Sequence, residues 1–177
     1  MRSAAALASL LLLAGCDRAG EGARAPARPA PPAAAVAPPA PGAPGGLPDE
    51  RTPLAEAPFA PTSAQGAANV VQTYYALLEA GRAADAAKLR ADGEAPDLSA
   101  YAEYHAQVGA PGRTEGAAGS VYVEVPVVIY GRLRTGAALH RSGKVVLRRV
   151  NDVPGSTAAQ RRWRIERIEL AGPSGAG

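Results

Sequence analysis

Val121-Tyr122-Val123-Glu124-Val125-Pro126-Val127-Val128-Ile129-Tyr130 is the stretch whose reading decides the fold. Successive strand residues point to opposite faces. Val121, Val123, Val125, Val127 and Ile129 therefore make one fully apolar face, with Tyr122, Glu124, Pro126, Val128 and Tyr130 on the other. Pro126 has no amide hydrogen to give to a ladder, so this strand is expected at a sheet edge with its even-numbered amides outward. A second strand, Leu139 to Val150, should follow a turn around Thr135-Gly136. A third spans Arg162 to Leu170, where Trp163 and Ile165 give way to Ile168 and Leu170 in the opposite parity, which signals a bulge near Arg167. A two-residue turn at Thr135-Gly136 would set Val127 against Lys144 and Val125 against Val146. One extra residue near Ser142-Gly143 would restore matched pairs: Val127 with Val145, Val125 with Leu147 and Glu124 with Arg148.

Upstream, the period of the apolar residues changes from that of a strand to that of a helix. Ala67, Val70, Val71, Tyr74, Leu77 and Leu78 follow helical spacing, and Gly81 stands where a left-handed cap belongs. A second helix is expected over Ala83 to Arg90, burying Ala86, Ala87 and Leu89. A third should open at Asp97, an N-cap after Pro96, carry the stripe Leu98, Tyr101, His105 and Val108, and stop at Gly109 before Pro111. The sequence therefore predicts an α+β domain over residues 63–171, with two or three N-terminal helices packed on a curved antiparallel sheet of about three strands. Its inner sheet face would hold Val121 to Ile129 in alternation, with Val145, Leu147, Trp163 and Ile165 beside them.

The run Val70-Val71-Gln72-Thr73-Tyr74-Tyr75-Ala76-Leu77-Leu78, the alanine-rich segment from Gly81 to Leu89 and the closing Trp163-Arg164-Ile165 give this domain a pattern that resembles the nuclear-transport-factor-two-like superfamily, which includes polyketide-cyclase-like and ketosteroid-isomerase-like proteins. The resemblance covers most of residues 64–171 and implies a cone between sheet and helices. In the resembling enzymes a carboxylate base and tyrosine or acid hydrogen-bond donors line that cone. Here the inner sheet face has no carboxylate. The polar groups available to a pocket are Tyr74, Tyr101, Tyr104 and His105, and a histidine in an apolar stripe reads as a core residue rather than a base.

At the other end of the chain, Leu13-Ala14-Gly15-Cys16 closes an apolar run from Ala4 to Leu13 that follows Arg2, and Cys16 is the only cysteine in 177 residues. The run is shorter than the roughly 20 apolar residues that a membrane-spanning helix needs. Positive start, apolar run and small residues before the cysteine resemble the lipobox of bacterial lipoprotein precursors. Residues 1–15 would be the signal peptide and Cys16 the lipidation site. Each buried acyl methylene contributes roughly 0.8 kcal/mol, so two or three chains would fix the protein in a bilayer. The resemblance implies a periplasm-facing domain. Asp17 resembles an inner-membrane retention signal, which inclines the reading toward the inner membrane.

Residues 17–62 hold twelve of the seventeen prolines and fourteen alanines. Proline lacks the amide donor and drives its predecessor to extended angles, so residues 16–62 read as a disordered tether in polyproline II and coil. Fully extended, the tether would reach on the order of 140 Å. Residues 172–177 read as a frayed tail.

The function classes narrow by exclusion. With Cys16 used for lipid, no thiol is left for a disulfide or metal. His105 and His140 lie outside any HExxH pattern, and no nucleophile elbow, dinucleotide turn or P-loop occurs. No cofactor and no metal are expected. Charge is uneven: residues 63–115 carry four basic and seven acidic groups (net −3), whereas residues 116–171 carry ten basic and four acidic (net +6). Arg148, Arg149, Arg161, Arg162 and Arg164 flank the loop from Asn151 to Thr157, where guanidinium groups could meet an anion. Nucleic acid is not an expected partner across a membrane. A lipid head group, a cell-wall polymer or an acidic protein is. These features favour a non-catalytic binding or interaction domain. The alternatives are a small-molecule isomerase or cyclase-like enzyme, and a dimerising structural lipoprotein that would pair through Tyr122, Val128, Tyr130 and Val146.

Overall fold

The computed structural model of the chain describes residues 36–49 and 59–172. Cys16 and Asp17 lie outside these residues, as does the tail from Pro173. Helix α1 (Ala64–Glu79) starts at Ser63, whose hydroxyl accepts the Gly66 amide at 3.1 Å. It stops where Gly81, at φ +71°, turns the chain. Gly81 N–H donates to Leu78 O (3.0 Å) and Arg82 N–H to Leu77 O (2.8 Å), which satisfies carbonyls that a helix end leaves open. Helix α2 (Ala83–Ala87) is short, and the chain keeps turning to Arg90 through tighter bonds such as Arg90 N–H to Ala87 O (3.0 Å).

Five strands follow: β1 (Tyr101–Val108), β2 (Glu115–Ala117), β3 (Ser120–Leu133), β4 (Ala138–Val150) and β5 (Arg164–Leu170). They form one antiparallel sheet in the order β1-β3-β4-β5, with β2 paired to the start of β3. The domain is thus α+β with a curved antiparallel sheet, with two helices, the lower of the two or three expected, and five strands rather than about three.

The expected third helix is a correction: Tyr101–Val108 is strand β1. Asp97 does begin a turn, accepting the Ser99 amide at 2.8 Å, but the chain then extends. A register shift between Tyr101 and Glu103 leaves Ala102 as an extra residue. That bulge puts Tyr101 and Tyr104, three apart, on the core side, so the strand imitates helical spacing.

Strand β3 is a second correction, because it is central. It pairs with β4 along one side and with β1 and β2 along the other. Pro126 is accommodated where β1 has ended at Val108 and β2 has yet to start. Its carbonyl accepts the Gly109 amide (2.8 Å), and no ladder bond needs its nitrogen.

The β3–β4 register is a third. Val127 faces Gly143, Val125 faces Val145, Val123 faces Leu147 and Tyr122 faces Arg148, in an unbroken ladder through Gly143. The matching comes from the loop: Leu133 N–H donates to Ala137 O (2.9 Å) and Gly136 N–H to Leu133 O (2.9 Å), enclosing three residues with Gly136 at φ +90°. Gly143 has another role, since a Cβ there would lie 2.1 Å from Glu169 O on β5. In β5 the register shifts so that Val146 faces Arg167 and Leu147 faces Ile165, placing the extra residue at Glu166.

The core lies between α1 and the inner sheet face. Ala67, Ala68, Val71, Tyr74, Tyr75 and Leu78 meet Val123, Val125, Val127, Ile129, Val145, Leu147, Trp163 and Ile165. Burying each large apolar side chain there stabilises the fold by roughly 1.5–3 kcal/mol. Trp163 also ties the helix start to the sheet, its Nε1–H donating to Ser63 O at 3.0 Å. At the outer edges, Glu79 Oε1 accepts the Ala106 amide of β1 (2.8 Å). Residues 89–91 bond to Ile165 of β5 through Ala91 N–H to Ile165 O (2.8 Å) and Ile165 N–H to Leu89 O (2.9 Å).

Candidate functional site

Where α1 passes over the β1 side of the sheet, four tyrosines come together. Tyr74 and Tyr75 project from α1, and Tyr101 and Tyr104 from β1. The Tyr74 and Tyr75 rings meet edge to face at 5.0 Å and those of Tyr101 and Tyr104 at 5.3 Å, while Tyr75 lies 6.5 Å from Tyr104. With Ile129, Ile168, Leu170, Leu98, Arg90 and Arg141 they line a cleft of about 350 Å³. That is large enough for a small ligand.

Electrostatics fix the protonation of the cleft. Burial pushes the Tyr75 and Tyr104 phenols well above the ordinary tyrosine value. Burial also raises Tyr74, against the pull of a hydrogen bond with Arg90. These phenols stay neutral and can donate hydrogen bonds. The Tyr75 hydroxyl is buried and has no hydrogen-bond partner among the described residues.

Arg90 is held by Asp92 through two guanidinium–carboxylate bonds, of which Nε–Oδ1 is 2.8 Å. The Arg90 bond, helped by the Glu94 amide, holds the Asp92 carboxyl down to about 2. Arg141 is positioned by its Nε–H donating to Ala171 O at 3.0 Å. The carboxylate on the cleft lining is Asp97, exposed and held below its ordinary value by hydrogen bonds from the Ser99 backbone and side chain. An exposed carboxylate stabilised in its charged form is a poor general base.

Of the four residues expected in a pocket, Tyr74, Tyr101 and Tyr104 converge and His105 does not. In a strand His105 points away from its neighbour Tyr104. It is 47% exposed, with Nδ1 3.8 Å from Glu79 Oε2 and its ring 5.4 Å from that of Tyr130. It is therefore exposed rather than the core residue expected, with a carboxylate neighbour at the rim and away from the cleft. Sequence reasoning missed Tyr75, Arg90 and Arg141. The available signal for Tyr75 was its position four residues after Val71 and three before Leu78, both of them buried.

Four of the five arginines make contacts of their own within the domain. Arg148 Nε–H donates to Ser120 Oγ (3.1 Å), and Arg149 lies over the Trp163 ring at 5.2 Å and donates to Thr62 O (3.2 Å). Arg164 holds Lys88 O (2.9 Å) and Arg90 O (3.3 Å), and Arg161 pairs with Asp152. Arg148, Arg149, Arg162 and Arg164 line a second cleft of about 270 Å³, which Glu166 also enters. Among the described residues no helix is long and apolar enough to cross a membrane, and no cluster of three or more histidine, cysteine or acidic side chains could hold a metal. No family model, no curated protein and no solved structure matches the chain.

Proposed function

We propose that the chain is a membrane-anchored, periplasm-facing lipoprotein whose domain is a non-catalytic binding module of nuclear-transport-factor-two-like type, taking a small ligand in the tyrosine cleft. The carrying observation is the buried, unpartnered hydroxyl of Tyr75, a residue that lines that cleft. A buried donor left unpaired costs about 1–3 kcal/mol, a cost that an acceptor atom on a bound ligand offsets. Aromatic walls suit an apolar or aromatic body, and Arg90 and Arg141 favour an acceptor or anionic substituent. The isomerase or cyclase reading has less support, because the cleft pairs neutral phenols with one solvated, stabilised carboxylate. Pairing of two copies through the outer sheet face also has less support, because Val128 and Val146 are already buried there.

Anilinonaphthalene sulfonate, an aromatic anion, is a suitable probe. Fluorescence titration should give one saturable site, weakened roughly three- to ten-fold by Tyr75→Phe and by Arg141→Ala. Unchanged affinity in both variants would remove the cleft from the proposal. The membrane half is checked separately: Cys16→Ser should leave an unlipidated precursor, and processing and acylation like the parent's would defeat it.

A further inference from the structure

Composition assigns residues 36–49 to the tether, yet they contain a turn that a proline/alanine tract does not require. Gly42 N–H donates to Leu47 O (2.8 Å), Ala43 N–H to Ala40 O (3.0 Å) and Gly46 N–H to Ala43 O (2.9 Å). Gly42 and Gly45 adopt φ of +80° and +78°, and a Cβ on Gly46 would lie 2.3 Å from Ala40 O. Glycine is needed at all three positions for the turn to close.

The turn lies on the outer sheet face. A Cβ on Gly45 would sit 2.6 Å from His140 Cε1 on β4. Leu47, the only leucine in residues 17–49, is half-buried, with Cδ2 3.2 Å from where a Gly109 Cβ would stand, beside Pro126. On the same face His140 Nε2 and Gln107 Oε1 are shut off from solvent without partners, and Val128 is buried.

The geometry points to residues 40–48 as an intramolecular strap that occupies the outer sheet face and moves the exit of the tether from Ser63 to the surface over His140. Leu47, half-buried, is its one large apolar side chain, so it can release without unfolding the domain. The consequence for reach rests on the lipoprotein reading, whereas the docking does not. With the strap down, residues 16–39 are left between lipid and domain and span roughly 75 Å; with it released, residues 16–62 span roughly 140 Å. The strap is then a length control on how far the tyrosine cleft stands from the bilayer.

Nuclear magnetic resonance on the full chain in detergent micelles tests the docking, and does so whether or not Cys16 is acylated. The chain has two histidines, so the His140 Hε1 signal is readily assigned. The expected result is a cross-relaxation peak between it and the Gly45 α protons, lost in Leu47→Asp while the Val125 and Val145 methyl signals stay in place. Exchange of the Gly42 and Gly46 amides should accelerate in that variant on the order of ten-fold. Gly46→Ala, which crowds Ala40 O without touching the sheet, should act in the same direction. A parent chain without the Gly45–His140 peak, or both variants retaining the peak and slow exchange, overturns the strap.

Discussion

Both faces of the sheet are buried at their centres, Val125 on one and Val128 on the other, but the two coverings are built from opposite kinds of sequence. The inner face is covered by α1, sixteen residues whose apolar positions recur at helical spacing and whose ends are capped. The outer face is touched by a glycine-proline turn that has one leucine and no regular secondary structure. A periodic segment gains stability from many side chains at once. An aperiodic one docks through few side chains and by fitting its backbone to the surface.

The comparison predicts unequal costs. Leu147→Ala, fully buried on the inner face, should lose about 2–5 kcal/mol in chemical denaturation. Leu47→Ala in the strap should lose less than about 1 kcal/mol, because a half-buried side chain on a releasable segment takes little of the global stability with it. Equal losses would mean that the strap is part of the core. Next in size, Gly143→Ala should cost roughly 1–3 kcal/mol by forcing β4 from the Glu169 carbonyl, measured by the same unfolding curve. Ser63→Ala should cost about 1 kcal/mol through loss of the α1 N-cap.

The smallest expected effect is on pH dependence near the cleft. The Asp92 carboxyl is depressed from its ordinary 3.8 to about 2, so its contribution is present above the unfolded value and is lost as pH falls through the folded one. The stability difference between parent and Asp92→Asn should therefore be constant above about pH 5 and shrink as pH falls toward 2 in thermal melts. A difference that grows on acidification would contradict the Arg90 pairing.

Legibility followed the same division. Alternation in β3 revealed the inner face correctly, because one side of that strand is uninterrupted valine and isoleucine. It did not reveal that β3 is central: a proline in a gap between two partners reads like a proline on an edge. The bulge at Ala102 hid β1 by giving Tyr101 and Tyr104 the spacing of a helix turn, and the same error carried His105 into the pocket. The β3–β4 register was missed because the adjustment sits in a three-residue loop rather than in the strand. Tyr74, Tyr101 and Tyr104 were legible as large side chains on apolar faces. Arg90 and Arg141 were not, because a guanidinium in a cleft is placed by the backbone and carboxylate bonds around it, which no local pattern encodes.

The two ends of the sheet bear on how copies of the chain behave when crowded. The amide of Ala106 on β1 is occupied by the Glu79 carboxylate, and the backbone of Ile165 on β5 by residues 89–91. An open strand is a template on which another strand can add, and addition at both ends would make polymer. With a carboxylate on one amide of β1 and a short parallel bridge at Ile165 of β5, part of each edge is occupied within its own chain. A strand from a neighbouring copy would have to displace these contacts before it could pair along either edge in full.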